Sequence, residues 1–174
     1  MAVPPSHVPG TVAWPDETPD PATDFAVTGA VLTGDPQTFR AEITARLAGL
    51  APGERNVVIF THGYNTTFAE GLYRFTQMTH DFETTGVPIL YSWPSVASPR
   101  DYLYDRDSVL FARAGLETLI DLVAESPAER ITLVAHSLGA QLPLETLHRW
   151  IVPGGHGAPA SSSSRIGRSW RRKR

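Results

Sequence analysis

The 174-residue chain contains no cysteine, which excludes disulfide bonds and thiolate metal sites and leaves the redox compartment undecided. It also has no apolar run of the roughly 18 residues that a membrane-spanning helix needs. Its N-terminus, MAVPPSHVPG, has neither a basic start nor an apolar stretch, so we expect no secretory signal. A cytoplasmic location is the default expectation, which an export signal upstream would change.

Metal-ligand clusters of recognisable spacing and phosphate-binding loops are also missing, so we expect neither a metal nor a cofactor. Charge is unevenly distributed: RIGRSWRRKR, at 165–174, holds six of the 15 basic residues, which leaves nine against 18 acidic residues elsewhere. We expect this tail to be solvated, with nucleic-acid or anionic-membrane contact as the alternative. Nucleic-acid binding is not expected, because no aromatic interleaving or binding fold accompanies the charge.

The sequence does have the composition of one soluble domain, with 41% hydrophobic and 19% charged residues. Six prolines before residue 24 predict an irregular lead-in over residues 1–24. We expect an α/β domain over residues 25–152 and a disordered Gly/Ser/Arg-rich tail over residues 153–174.

Strands and amphipathic helices alternate along this domain. Apolar, often β-branched runs predict four strands, at Phe25–Leu32, Asn56–Phe60, Val87–Tyr91 and Ile131–Ala135. Helical spacing predicts four helices. The first runs for about four turns after an Asp35 cap and Pro36, and the second runs from a Thr67/Glu70 capping box to Gly86. The third lies at about 108–125 and the fourth at 138–150, where Pro143 should kink it. Residues 92–105 should form a loop. The alternation predicts a parallel sheet with helices on both faces and a ligand site beyond the carboxyl ends of its strands.

Two motifs follow predicted strands at that edge. The run Phe60-Thr61-His62-Gly63-Tyr64-Asn65 has a glycine where a tight turn leaves amide N–H groups free to bind a negative oxygen. The run Ala135-His136-Ser137-Leu138-Gly139 has small residues two before and two after the serine, as the tight turn of a nucleophile elbow requires. Alanine takes the place of the usual first glycine.

We therefore interpret Ser137 as a nucleophile, with a helix N-cap serine as the plainer alternative. The Leu138 N–H would lie at a helix N-terminus and, with the Tyr64 N–H, would form a two-donor oxyanion hole. For His62 we favour a structural role that orients the loop over a role in proton transfer. The residues expected to support the site are His62, Gly63, Asn65, His136, Gly139 and Ser95.

A resemblance to a known family rests on four separate runs and the lead-in: NVVIFTHGYNTTF, GVPILYSWPS, YLYDRDSVLFAR, ITLVAHSLGAQLPLETLHRW and VPGTVAWP…PDPATDF. Over about residues 8–150 the chain resembles the uncharacterised, mostly bacterial α/β-hydrolases of the domain-of-unknown-function nine-hundred family, in the esterase/lipase superfamily. The resemblance implies a three-layer α/β-hydrolase-type fold with a mostly parallel sheet, incomplete here at the C-terminus. It implies a catalytic Ser137, an oxyanion hole from the Tyr64 and Leu138 amides, and hydrolysis of an acyl ester or similar bond in a small-molecule substrate.

Four more polar residues fall in the loop that such hydrolases carry near the site: Ser95, Tyr102, Asp105 and Asp107. They either hold the loop to the domain or contact the substrate. The sequence leaves both roles open.

A serine hydroxyl needs a base to take its proton and an acid to orient that base. The 37 residues after Ser137 hold no aspartate, one glutamate (Glu145) and two histidines (His148 and His156). Glu145 and His148 lie on a helix that leads away from the site, by roughly 12 Å over eight residues. His156 lies in the flexible run PGGHGAP. We therefore expect an incomplete triad and weak or no turnover.

The tail SSSSRIGRSWRRKR lacks the strand that relatives would place there. If the reading frame is shifted back by one base, possible codons for Arg168–Lys173 encode an apolar strand. We therefore expect a frameshift in the coding sequence between residues 153 and 168.

The alternative to an impaired hydrolase is a non-catalytic remnant that binds a partner or is inert. An uncovered sheet edge predicts self-association.

Overall fold

A parallel sheet of three strands lies at the centre of the computed structural model. The structure describes residues 1–15, 18–96, 98 and 100–151, with the backbone alone for 149–151; the tail expected at 153–174 lies outside these residues. The strands are β1 (Asn56–Thr61), β2 (Val87–Tyr91) and β3 (Arg130–Ala135). Both other strands pair with β1 in parallel, in the order β2-β1-β3. The expected parallel sheet is confirmed.

Helices cover both faces of the sheet and complete three layers. They are α1 (Pro36–Ala48), α2 (Phe68–Asp81), α3 (Tyr102–Phe111), α4 (Arg113–Ala124) and α5 (Gln141–Ile151). On one face, Val57 and Ile59 are fully buried in a cluster with side chains of α1 and α4. On the other face, Phe60 stacks on Phe75 of α2, with ring centroids 5.2 Å apart. Burial on both faces is why β1 is a continuous apolar run.

The starts of α1 and α2 are as predicted. Asp35 caps α1 by accepting the Thr38 N–H at 2.8 Å, and Pro36 is the first helical residue. Thr67 and Glu70 form the capping box: the Thr67 hydroxyl accepts the Glu70 N–H, and the Glu70 carboxylate accepts the Thr67 N–H at 2.7 Å. Each cap satisfies an N–H that the helix leaves unpaired, typically worth about 1 kcal/mol.

The strand predicted at Phe25–Leu32 is wrong. Phe25 is buried and Ala26 forms an isolated antiparallel bridge with Ala2, but residues 27–34 are irregular and largely exposed. An apolar run forms a strand only where it can pair with and pack against neighbours. The ring of Phe25 packs instead against Tyr73 of α2, so the lead-in lies against that helix rather than along the sheet.

The helix predicted at about 108–125 is two helices, and the loop expected at 92–105 ends at Asp101. α3 and α4 meet at Ala112, whose carbonyl accepts the hydroxyl of Tyr91, the last residue of β2, at 2.5 Å. Gly115 leaves room for this contact, since a Cβ there would lie 2.4 Å from the Tyr91 hydroxyl oxygen. The Ala112 carbonyl also accepts the Leu116 N–H at 3.3 Å, so Tyr91 adds a tertiary bond at the junction of the two helices.

The last α-helix begins later than predicted, and Pro143 does not interrupt it. After β3 the chain makes one 3-10 turn, Ser137–Ala140, and α5 begins at Gln141. Pro143 thus lies in the first turn of α5, where N–H groups have no intrahelical partner to lose. The Gly139 carbonyl, four residues before the proline, accepts the Thr61 hydroxyl at 3.1 Å instead. This bond joins the end of β1 to the start of the last helix.

β3 is the outermost strand on its side of the sheet, in the part of the chain that the structure describes. Thr132 is exposed there, and the rest of the strand is at most half-buried. Self-association through this edge stays a prediction. Over the same residues, no helix combines the length and the apolar character needed to cross a membrane.

We expect Thr61→Val to lower the free energy of unfolding by about 1–3 kcal/mol, because the buried Gly139 carbonyl loses this donor. Urea unfolding followed by circular dichroism measures the change. Thr132→Val makes the same chemical change at an exposed site and should shift the free energy by less than about 0.5 kcal/mol. Equal effects of the two substitutions would show that the bond contributes nothing.

Candidate active site

The path of the chain across the sheet reverses at β1. From β1 it passes through α2 to β2 on one side, then returns through α3 and α4 to β3 on the other. In open parallel sheets, ligands bind beyond the carboxyl ends of the strands at such a reversal. The segments that leave these ends are residues 62–67 after β1 and residues 136–140 after β3, and they contain both sequence motifs.

Ser137 forms the corner between β3 and the 3-10 turn, with φ of 52°. Few non-glycine residues adopt a positive φ, and the strain of about 1–3 kcal/mol persists where the surroundings impose it, often at functional sites. The residue is exposed, and no group in the described residues hydrogen-bonds its hydroxyl. His136, rather than Ser137, is the N-cap residue of the turn. The N-cap alternative for Ser137 therefore does not hold.

The two segments touch through glycines. A Cβ on Gly139 would lie 2.1 Å from the His62 carbonyl oxygen. A Cβ on Gly63 would lie 2.6 Å from His136 Nδ1 and 3.2 Å from the Ser137 Cβ. Only a residue without a side chain lets the backbones approach this closely. The small residues of both motifs thus place Ser137 beside the loop that follows β1.

His62 is buried and its ring is fixed on both sides. The Trp93 N–H donates to Nε2 at 3.2 Å, so Nε2 is unprotonated and the ring proton is on Nδ1, which donates to the Gly63 carbonyl at 3.0 Å. Trp93 also stacks on the ring and donates its indole N–H to the His62 carbonyl at 2.8 Å. The Ser92 hydroxyl lies 3.0 Å from Nε2. Both nitrogens of the imidazole ring therefore take part in hydrogen bonds that hold the loop in place.

Asp105, fully buried at the start of α3, joins the loop after β1 to the loop after β2. Its Oδ2 accepts the Asn65 N–H at 3.2 Å and the Ser95 hydroxyl at 2.6 Å, and its Oδ1 accepts the Val96 N–H at 2.9 Å. Asn65 has φ of 51°, so the carboxylate holds a second strained residue. Asp105 and Ser95 therefore hold the two loops together.

Tyr102 and Asp107, also expected near the site, lie on α3. The ring of Tyr102 packs edge-on against Tyr64, at 5.3 Å, and the Tyr64 hydroxyl donates to the Ser98 carbonyl. Asp107 is exposed and pairs with Arg106. Tyr102 thus supports the residue whose amide is expected in the oxyanion hole, and Asp107 pairs with the adjacent Arg106.

The Tyr64 and Leu138 N–H groups meet no acceptor in the described residues, and neither do those of Gly63 and Ser137, which precede them. The N–H groups that follow are paired, since Asn65 donates to Asp105 and the Gly139 N–H donates to the His136 carbonyl at 3.0 Å. Unpaired donors at the start of a helical turn attract negative charge. The geometry leaves these donors near Ser137 available to an anionic oxygen.

No described histidine or carboxylate hydrogen-bonds the Ser137 hydroxyl. Glu145 and His148 are exposed on α5, and His136 is exposed next to Gly63. His156 lies outside the described residues. The arrangement therefore contains a candidate nucleophile and candidate oxyanion donors without a base among the residues described.

Two residues that build the site were not predicted from the sequence. Thr61 is the last residue of β1 and Trp93 comes two residues after β2, so both lie at the carboxyl edge of the sheet. A bulky aromatic residue placed directly after a predicted parallel strand was the available signal for Trp93. Nothing local marks Thr61, because its partner Gly139 is 78 residues away.

Residues 37–158, more than half of the chain, match the family described as "Alpha/beta hydrolase of unknown function (DUF900)". Neither a curated protein nor a solved structure matches the chain.

Gly139→Ala should destabilise the protein by about 1–3 kcal/mol or more, because its Cβ would meet the His62 carbonyl, a backbone atom that cannot turn aside. Thermal or urea unfolding measures the loss. Gly34→Ala is the matched control, since a Cβ there meets nothing within 4 Å. A tolerated Gly139→Ala would mean that the two loops do not touch as described.

Burial lowers the pKa of His62 below its ordinary value of 6.5, although hydrogen bonds with Gly63 and Trp93 oppose the shift. The unfolded chain therefore takes up this proton at a higher pH than the folded chain, and stability falls as pH drops from about 6.5 toward the lowered pKa. An NMR titration should show the His62 ring titrating below pH 6.5, with His62→Gln used to assign its signal. Titration at or above 6.5 would contradict the buried, neutral ring.

Proposed function

The chain belongs to the α/β-hydrolases of unknown function, and from this membership we propose that it is a serine hydrolase of esterase or lipase type. It would act on an acyl ester or a similar bond, with Ser137 as the nucleophile. One observation carries the proposal: Ser137 is exposed in a strained conformation at the sheet's reversal, with two unpaired amides next to it.

In the proposed reaction, Ser137 Oγ attacks the acyl carbonyl carbon and the carbonyl oxygen becomes an oxyanion. The Tyr64 and Leu138 N–H groups would donate to that oxygen, which stabilises the charge where it develops. Collapse of the intermediate expels the alcohol and leaves an acyl group on Ser137. Water then releases the acid and restores the serine. His62 takes no proton in this scheme, because both ring nitrogens are held by the loops.

Apolar side chains near the corner support an acyl substrate. α3 packs against the 3-10 turn that begins at Ser137. Its first residues, Tyr102, Leu103 and Tyr104, are about half or more exposed, and so is Val96 in the preceding loop. Exposed apolar side chains grouped beside a reactive group are typical of a binding surface.

The serine proton has to pass to a base, and none of the described residues offers one to Ser137. In serine hydrolases that lose a triad member, the oxyanion hole and substrate binding alone leave about 10³–10⁴-fold catalysis over water. We therefore propose that this chain, by itself, acylates slowly and turns over weakly, as expected if the triad acid and histidine are lost.

A fluorophosphonate probe tests the nucleophile. Ser137 Oγ should attack the phosphorus and expel fluoride, and mass spectrometry of the digested protein should find the adduct on Ser137. The adduct should disappear in Ser137→Ala and persist in Ser6→Ala, which removes an exposed serine of the lead-in. Circular dichroism confirms that both variants are folded.

Failure of the well-folded wild-type chain to react at Ser137, or reaction at other serines alone, would overturn the proposal. That result would favour the second candidate, a non-catalytic hydrolase-like protein that binds a partner. The uncovered edge of β3, within the described residues, is the observation in favour of that candidate.

A further inference from the structure

A second cluster of functional groups lies where the lead-in crosses the end of α2. His7 comes from the lead-in, and His80 and Asp81 are the last two residues of α2. One metal-binding atom of each residue lies within 4.8 Å of the other two. α2 begins just after the Tyr64 loop, and its 14 residues place the cluster roughly 20 Å farther along the helix axis.

The His7 side chain is 4% exposed, and its Nε2 lies 2.5 Å from Asp81 Oδ1. Its other ring nitrogen, Nδ1, is buried without a hydrogen-bond partner in the residues described. A buried polar atom left unpaired costs about 1–3 kcal/mol, and in native proteins it calls for a bound water or ion. The His7 and His80 rings meet edge to face with centroids 5.3 Å apart, so one ion can reach both imidazoles.

Asp81 brings negative charge to the cluster. Its carboxylate accepts the Gly10 N–H at 2.7 Å and also contacts His7 and Gln77. The carboxyl end of a helix carries partial negative charge as well. A carboxylate in the last turn of α2 is thus unfavourable for the helix alone and favourable for a bound cation.

We propose that His7, His80 and Asp81 bind one divalent transition-metal ion of the Zn²⁺ type. Two imidazoles and a carboxylate suit Zn²⁺, whereas Mg²⁺ and Ca²⁺ prefer oxygen ligands throughout. Bonds of about 2.0–2.2 Å to Zn²⁺ require ligand atoms roughly 3.3 Å apart in a tetrahedral site. The exposed ring of His80 can turn to bring its nitrogen closer, whereas His7 Nε2 and Asp81 Oδ1, which lie 2.5 Å apart, have to separate when both bind the ion.

The ion would fasten the lead-in to α2. The Trp14 ring already packs against Tyr73 of α2, and the Ala2–Ala26 bridge joins the start of the lead-in to the segment that follows it. Because an ion that binds only the folded chain stabilises it by mass action, the midpoint of thermal unfolding should rise with Zn²⁺ concentration. The site's distance from Ser137 gives it a structural rather than a catalytic role.

Isothermal titration of the untagged, metal-stripped 174-residue chain with ZnCl₂ tests the site. We expect one Zn²⁺ per chain and a rise in the thermal unfolding midpoint. His80→Ala should weaken binding at least about tenfold, since even residues that only orient a metal ligand are worth 10–100-fold in affinity. His80 is exposed, so the variant should fold. His148→Ala removes an exposed histidine from α5 and should bind Zn²⁺ like the wild type.

Titration with Co²⁺ gives a second readout. Visible absorption bands should appear on binding to the wild type and to His148→Ala, and they should be lost in His80→Ala and Asp81→Asn. The proposal is overturned if the wild-type chain binds no Zn²⁺ below millimolar concentration, if His80→Ala binds as tightly as the wild type, or if His148→Ala loses the same affinity. In those cases His7 and Asp81 form only a hydrogen-bonded pair.

Discussion

The backbone of Gly139 lies against the carbonyl of His62, and this contact fixes the loop after β1 relative to the turn after β3. It is a contact between main chains, so no side chain can adapt to change it. Just beneath it, the Thr61 hydroxyl binds the Gly139 carbonyl and fixes the last turn of the chain to the central strand. The Ser137 corner and the Tyr64 amide belong to these two segments and cannot shift independently.

Two residues with positive φ lie in these segments, Asn65 and Ser137, and such backbone persists only where its surroundings over-determine it. Asp105 holds Asn65 through its amide, and the glycine contacts hold Ser137. The His62–Trp93 pair then fills the space behind the loop with two stacked, hydrogen-bonded rings. Buried polar groups in such a network are costly unless each finds its partner, so the network specifies one arrangement.

Local chemistry made much of the fold predictable. Contacts between residues close in sequence produce the caps at Asp35 and Thr67, and the composition of β1 shows directly in its apolar run. The small residues around Ser137 are needed because the turn itself leaves no room for larger side chains. The predictions that were wrong concern features that depend on contacts between residues far apart in the sequence. Tyr91 binds the junction of two helices 21 residues away, and Phe25 packs on a helix instead of lying along a sheet edge.

The same reason explains why the sequence does not reveal the cluster at the end of α2. His7 and Asp81 are 74 residues apart, and only the path of the lead-in over α2 joins them. Metal sites with recognisable spacing take their ligands from one turn or one helix face. A site divided between an irregular segment and a helix end has no such spacing, so composition and motif patterns cannot distinguish it from scattered polar residues.

A strained serine corner costs stability whether or not the chain turns over a substrate. The cost of about 1–3 kcal/mol is a substantial part of the roughly 5–15 kcal/mol that stabilises a typical domain. A serine that served only to start a helix would relax to an ordinary N-cap with its hydroxyl bonded to the backbone. Here the corner keeps its strain, and among the described residues neither its hydroxyl nor the Tyr64 and Leu138 amides find a partner. In the proposed reaction, this backbone geometry would set where an acyl group attaches, and the supply of a base would set how fast it attaches and leaves.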